Sequence, residues 1–186
     1  MNFNSVSVVK HPIDRVWTIM RDDLPNLMDL LEDIEGITVE LYEKKEHICK
    51  VVNIWKASPP LPQSIASRVA PDMFVWTDSA EWNEKKMECR WSIELHHFRD
   101  RVHCSGTTKF DTAMGGRSTK ITFSGNIEWI NKNTSSITNF LEETIYHTIE
   151  PLIKNLIPRN FRKITMAITK RLDANSGTST KNHAGP

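Results

Sequence analysis

From Phe74 to Ile130 the chain alternates apolar and polar residues through three successive turns, and the alternation never changes phase. Asn83 to Lys86 reads as a four-residue turn, Arg99-Asp100 as a two-residue turn, and Gly115-Gly116 as a turn whose positive φ angles suit glycine. Counting back from each turn predicts the facing residues. Across the first, Phe74 meets Leu95, Trp76 meets Ile93 and Asp78 meets Trp91; across the second, Trp91 meets Thr108 and Ile93 meets Gly106. Across the third, Phe110 meets Ile121, Thr108 meets Phe123, Gly106 meets Gly125 and Val102 meets Trp129. All three registers put the same apolar set on one face, whereas a slip of one residue would invert a strand. The other face, with Glu81, Arg90, His103, Lys109 and Glu128, is solvated. A one-sided antiparallel sheet of this kind packs its apolar face on helices.

The flanking segments supply the partners. Phe3 to Lys10 reads as a strand with Val6 and Val8 on one face, followed by a short amphipathic helix carrying Ile13, Val16, Trp17 and Met20. A second short helix begins at Asp23-Leu24-Pro25, turns Leu27, Leu31 and Ile34 inward, and ends at Gly36. Thr38 to Glu43 and Ile48 to Ala57 are two more strands. The segment from Ser58 to Asp72 holds Pro59, Pro60, Pro62 and Pro71, which excludes a central strand and leaves a lid or a surface crossover. From Ile137 to Leu172 apolar residues at Leu141, Ile145, Ile149, Leu152 and Leu156 keep helical spacing, interrupted at Pro158. The expected architecture is therefore α+β: a curved antiparallel sheet of about seven strands wrapped on a long C-terminal helix, with two short helices after the first strand. One domain spans 1–172, and the Ser, Thr, Asn and Gly of 173–186 read as a disordered tail.

Two features of the inner face exceed what a plain core requires. Gly106 and Gly125 lie side by side and leave a notch for a backbone, an indole or a ligand. Asp78 points inward among tryptophans, and a buried carboxylate must be neutralised, bonded or hydrated. It either satisfies an indole N–H or an arginine of the 58–72 segment, or anchors a ligand. The six tryptophans at 17, 55, 76, 82, 91 and 129 suit either a packed aromatic core or a flat-walled cavity.

Other chemistries find little support. His96 and His103 are expected as outward cross-strand neighbours, with His97 and Cys104 pointing in, so no metal site forms. No nucleophile elbow, zinc-helix or phosphate-loop motif occurs, and no cofactor or catalytic constellation is expected. With 24 basic and 23 acidic residues the net charge is +1, and the outer face has few aromatics, which speaks against nucleic acid. Three cysteines without zinc spacing suggest a reducing compartment, and the absence of an apolar span or signal core places the chain in the cytoplasm. From Pro151 to Leu172 there is no acid, and Lys154, Arg159, Arg162 and Lys163 punctuate an apolar face. Such a helix either lies on an anionic membrane or simply has a solvated basic face.

A strand, two short helices, a multi-stranded antiparallel sheet and a long last helix resemble the START-like, helix-grip superfamily of polyketide cyclases and lipid carriers. The order covers nearly all of Phe3 to Leu172. Within it, a Pro-flanked segment followed by MFVWTDSAEW, CRWSIEL and VHCSGTTKF is similar to the phospholipid-carrier branch. The resemblance implies an apolar ligand or lipid held between sheet and last helix, against Trp76, Asp78, Trp91, Thr108, Phe123, Trp129, Ile145 and Ile149. It equally allows a cyclase or aromatase using the same cavity, with Asp78 and His97 as the inward proton carriers.

Overall fold

The computed structural model describes residues 1–58, 72–97, 99, 102–129 and 159–175. Seven strands form one antiparallel sheet: β1 (Asn2–Val9), β2 (Ile34–Lys45), β3 (Ile48–Ala57), β4 (Val75–Asn83), β5 (Glu88–Leu95), β6 (Val102–Ala113) and β7 (Ser118–Trp129). Their spatial order is β1-β7-β6-β5-β4-β3-β2. Every neighbour in the run β2 to β7 is also a neighbour in sequence, and β1 closes on β7. On the inner face lie α1 (Ile13–Asp22) and the last helix, α2, over 159–175. This is the helix-grip arrangement.

α1 buries Val16, Trp17 and Met20 of the expected face together with Ile19, while Ile13 is half-buried. Trp17 meets Trp82 and Phe110 edge-on, each at 5.1 Å between ring centroids, which seats α1 on β4 and β6. α2 buries Phe161, Ala167, Ile168 and Leu172. Polar contacts fix its course: Lys163 and Arg159 meet Asp33, and Arg171 donates to the Asn26 carbonyl. At its other end Asp173 bonds His11 at 2.7 Å. The helix therefore runs on through Asp173, past the expected limit at Leu172. The rest of the predicted helix, with Leu141, Ile145, Ile149 and Lys154, lies outside the described residues, as does most of the Ser58 to Asp72 segment. Among the described residues no helix is long and apolar enough to cross a membrane.

Several expectations are corrected. The second helix is a shorter 3-10 segment, Leu24–Leu30, and β2 already starts at Ile34. Backbone pairing of Ile34 with Ala57 and Ile37 with Trp55 outweighs the local helical spacing, so Gly36 sits at a strand irregularity rather than a helix end. In the first hairpin the observed pairs are Trp76 with Leu95, Asp78 with Ile93 and Ala80 with Trp91, each displaced by two from expectation. The cause is Asn83: its side chain accepts from the Lys86 N–H at 3.1 Å, which makes it the last strand residue before the turn rather than the first within it. The second hairpin is displaced likewise, with Cys89 opposite Thr108 and Trp91 opposite Gly106. A shift of two preserves the faces, so the apolar side stays inward. The third register matches residue for residue, through turn residues Met114, Gly115 and Gly116 at positive φ. On β1 the faces are now assigned: Val6 and Val8 are exposed, while Ser5 and Val9 are buried.

Gly106 and Gly125 pair directly, but in the row of Ala80 and Trp91 rather than that of Trp76 and Ile93. The Trp91 indole fills the notch they leave. A Cβ on Gly106 would overlap that indole and the Ser124 carbonyl, and one on Gly125 would stand 2.6 Å from Trp91 Cη2. Gly106→Ala is therefore expected to cost about 3 kcal/mol, while Gly36→Ala, with nothing within 4 Å of its Cβ, changes stability by under ~0.5 kcal/mol. Urea unfolding midpoints of the two variants check this; equal midpoints would contradict the packing.

Candidate ligand cavity

The concave face carries a ladder of stacked rings. Trp91 lies over Phe123 at 4.8 Å and 14°, and Phe123 lies on Phe161 of α2 at 4.2 Å and 8°. Phe3 joins from β1, 5.4 Å from Phe123. Each such pair adds roughly 0.5–1.5 kcal/mol beyond the area it buries. Trp91 Nε1 donates to Thr108 Oγ1 at 3.1 Å, a buried bond along the diagonal of the β5–β6 ladder. Further along the sheet a second stack, Trp55 on Trp76, stands at 5.7 Å and 10°.

Between the two stacks, the sheet and the helices is a cavity of about 120 Å³. Trp76, Asp78, Trp91, Thr108 and Phe123, five of the anticipated residues, line it. The Trp129 side chain and residues Ile145 and Ile149 lie outside the described residues. The sequence reading did not single out Met73, Asn160, Phe161 or Ile164, which complete the wall. Phe161 and Ile164 carried a signal, since both belong to the apolar residues interleaved with the basic ones of the last helix. Asn160 carried none.

Asp78 is the one lining residue, among those described, that carries a charge. It pairs in the ladder with Asn53 on one side and Ile93 on the other, and Asn53 is itself 2% exposed. Burial pushes the Asp78 carboxyl up to about 7, and the facing Trp55 indole N–H offsets only part of this. That N–H is buried and does not complete a hydrogen bond. The nearby Cys89 thiol is pushed well up by burial, and Cys104 up to about 12, with the Asp78 charge adding to both.

The histidines fall elsewhere. His97 is exposed on the surface, 3.5 Å from Asp72, so it does not reach the cavity as expected. β5 ends at Leu95, so the strand alternation that would turn His97 inward does not extend to it. His96 bonds Thr77 at 2.9 Å, while His103 faces Glu128 on β7, so the two are not the neighbours predicted. Among the described residues no three metal-ligating side chains cluster. The cavity can therefore hold an apolar body and offer it one acid-base group.

No family profile matches the chain, and no curated protein sequence is significantly similar to it. Solved structures are similar in shape. The crystal structure of TTHA0849 from Thermus thermophilus superposes with a TM-score of 0.62 at 17% identity, covering 95% of this chain and 99% of that one. The Zhui aromatase/cyclase from Streptomyces sp. R1128 gives 0.61 at 13% identity, over 93% of each chain. Norcoclaurine synthase from Thalictrum flavum, in complex with dopamine and hydroxybenzaldehyde, gives 0.60 at 13%, over 100% of this chain and 89% of that one. Identities this low show the fold alone, and the fold is the helix-grip.

Folding raises the Asp78 pKa from 3.8 to about 7, so between those values the folded chain keeps a proton that the unfolded chain releases. Stability thus falls as pH climbs through that window and stays lower above it, by up to about 4 kcal/mol. Asp78→Asn is expected to flatten this slope and to melt higher than the parent at pH 8, with the two converging near pH 4. Thermal melts between pH 4 and 9 decide it: parallel curves would mean that Asp78 is not enclosed.

Proposed function

We propose that this chain binds a compact, mostly apolar small molecule between the sheet and α2, with the ligand's polar group turned to Asp78 and Thr108. The supporting observation is one enclosed carboxyl in a cavity whose other described walls are mainly indole, phenyl, thioether and aliphatic groups. Structural cores avoid such a group, because it costs stability at neutral pH unless a partner arrives. Size narrows the ligand. A cavity of about 120 Å³ compares with the ~150 Å³ that accepts benzene in an engineered apolar void. One ring fits as the side chains stand. A lipid acyl chain requires the flexible Met20 and Met73, or Phe161, to swing aside.

Membrane docking, as part of a carrier role, falls to a narrower set than anticipated. Arg159 and Lys163 are held by Asp33. That leaves Arg162 and Lys170, flanking the 71% exposed Met166 on the outer side of α2, to meet an anionic surface. Lys154 lies outside the described residues.

A second reading has its own observation. A carboxyl with a pKa near 7 is suited to give and take a proton at neutral pH, as a cyclase or aromatase in this cavity would require. With His97 outside, Asp78 is the group among the described lining residues that would carry that step. Asp78→Asn separates the readings: an enzyme loses turnover while still binding, whereas a carrier changes its ligand preference.

Toluene, a neutral one-ring probe, is expected to quench the tryptophan fluorescence of the full chain saturably. Ala80→Leu, which fills the cavity from β4, should weaken toluene at least tenfold with the circular dichroism spectrum unchanged. Native mass spectrometry of the purified chain adds an independent readout. Absence of saturable quenching together with no co-purifying or vesicle-extracted ligand would sink the binding reading.

A further inference from the structure

The chemistry of the walls says more about the ligand than that it is apolar. The described lining residues include no lysine, arginine or histidine, so an ionised Asp78 has no counter-charge there. Near it the wall offers the Trp55 Nε1–H, which completes no hydrogen bond. Thr108 accepts from Trp91, and its hydroxyl, though able to donate, supplies no positive charge. An anionic head group would meet a like charge and, among the described lining residues, no cation, which disfavours carboxylate or phosphate ligands at this end of the cavity. By contrast, indole rings stand in the rows on both sides of the carboxyl. Trp55 and Trp76 are paired across β3 and β4 in the row next to Asp78, and Trp91 and Ala80 are paired in the row on its other side. Indole is the side chain whose face attracts a cation most strongly, and carboxylate with aromatic faces is the combination by which proteins hold organic ammonium groups.

We propose that the ligand is an organic amine: its ammonium group sits against Asp78 beside the Trp55–Trp76 stack, and its apolar body lies toward Trp91, Phe123 and Phe161. The proposal rests on the cavity-binding reading and adds the charge of the head group. It also gives Asp78 a reason to be where it is. An ammonium group restores to the carboxylate the electrostatic stabilisation that burial removes, and Phe123 and Phe161 in the cavity wall receive the apolar part. A neutral alcohol bonds the same carboxyl without supplying that charge.

Three probes of one ring size separate the possibilities: benzylamine, benzyl alcohol and toluene, titrated into the full chain at pH 8 and followed by tryptophan fluorescence and calorimetry. Benzylamine is expected to bind at least tenfold more tightly than either neutral probe, and Asp78→Asn should reduce that advantage to threefold or less. The ranking on the parent chain stands independently of how the variant folds. Three equal affinities, or an amine advantage unchanged in Asp78→Asn, would overturn the charge assignment while toluene binding kept the cavity reading. Failure of all three to bind would overturn both.

Discussion

The seating of the Trp91 indole on Gly106 and Gly125 is the contact from which the interior is built. Two neighbouring strands lack side chains at one level, and the largest side chain of the next strand lies flat across them. With Trp91 flat, Phe123 stacks on it and Phe161 stacks on Phe123, so the ladder of rings ends on α2. The height of that ladder sets how close the helix comes to the sheet. Beside the ladder, where Ala80 replaces a large side chain, the space stays open. Cavity and support thus come from one arrangement: small residues under Trp91 let it lie down, and a small residue next to it is left uncovered.

The second governing feature is a cost rather than a gain. Asp78 occupies a position where alternation calls for an apolar residue, and burial holds its carboxyl near neutrality. An aliphatic residue there would stabilise the sheet at every pH above the ordinary carboxylate range. A stability penalty concentrated on the one carboxyl among the described lining residues is what the proposed function draws on, since functional sites are where such costs are retained.

Charge on α2 shows how tertiary context reassigns a sequence pattern. The absence of acids from Pro151 to Leu172 reads as a basic surface for a membrane. In the folded chain Asp33, at the end of the 3-10 segment and 8% exposed, collects Lys163 and Arg159, and Asp173 takes His11. Two of its basic residues find their acid on another element, and its own Asp173 reaches a histidine near the start of α1. These contacts pin it at both ends of the cavity, and Arg162 and Lys170 remain to face outward.

Much of this was legible in the residues. Alternation fixed which face of β4 to β7 is inward, because side-chain direction has a period of two that any even shift preserves. It therefore assigned Trp76, Asp78, Trp91, Thr108 and Phe123 to the concave side although two of three hairpin registers were displaced by two. Element order was enough to suggest the helix-grip fold. Only the tertiary structure decided the rest. The choice of Asn83 as a strand end depends on one side-chain bond, the 3-10 geometry of Leu24–Leu30 on pairing between β2 and β3, and the exposure of His97 on β5 ending at Leu95. Whether the rings close the interior or leave room depends on the angle at which Trp91 meets two glycines, and rotamers and strand curvature, unlike periodicity, are set by neighbours distant in the chain.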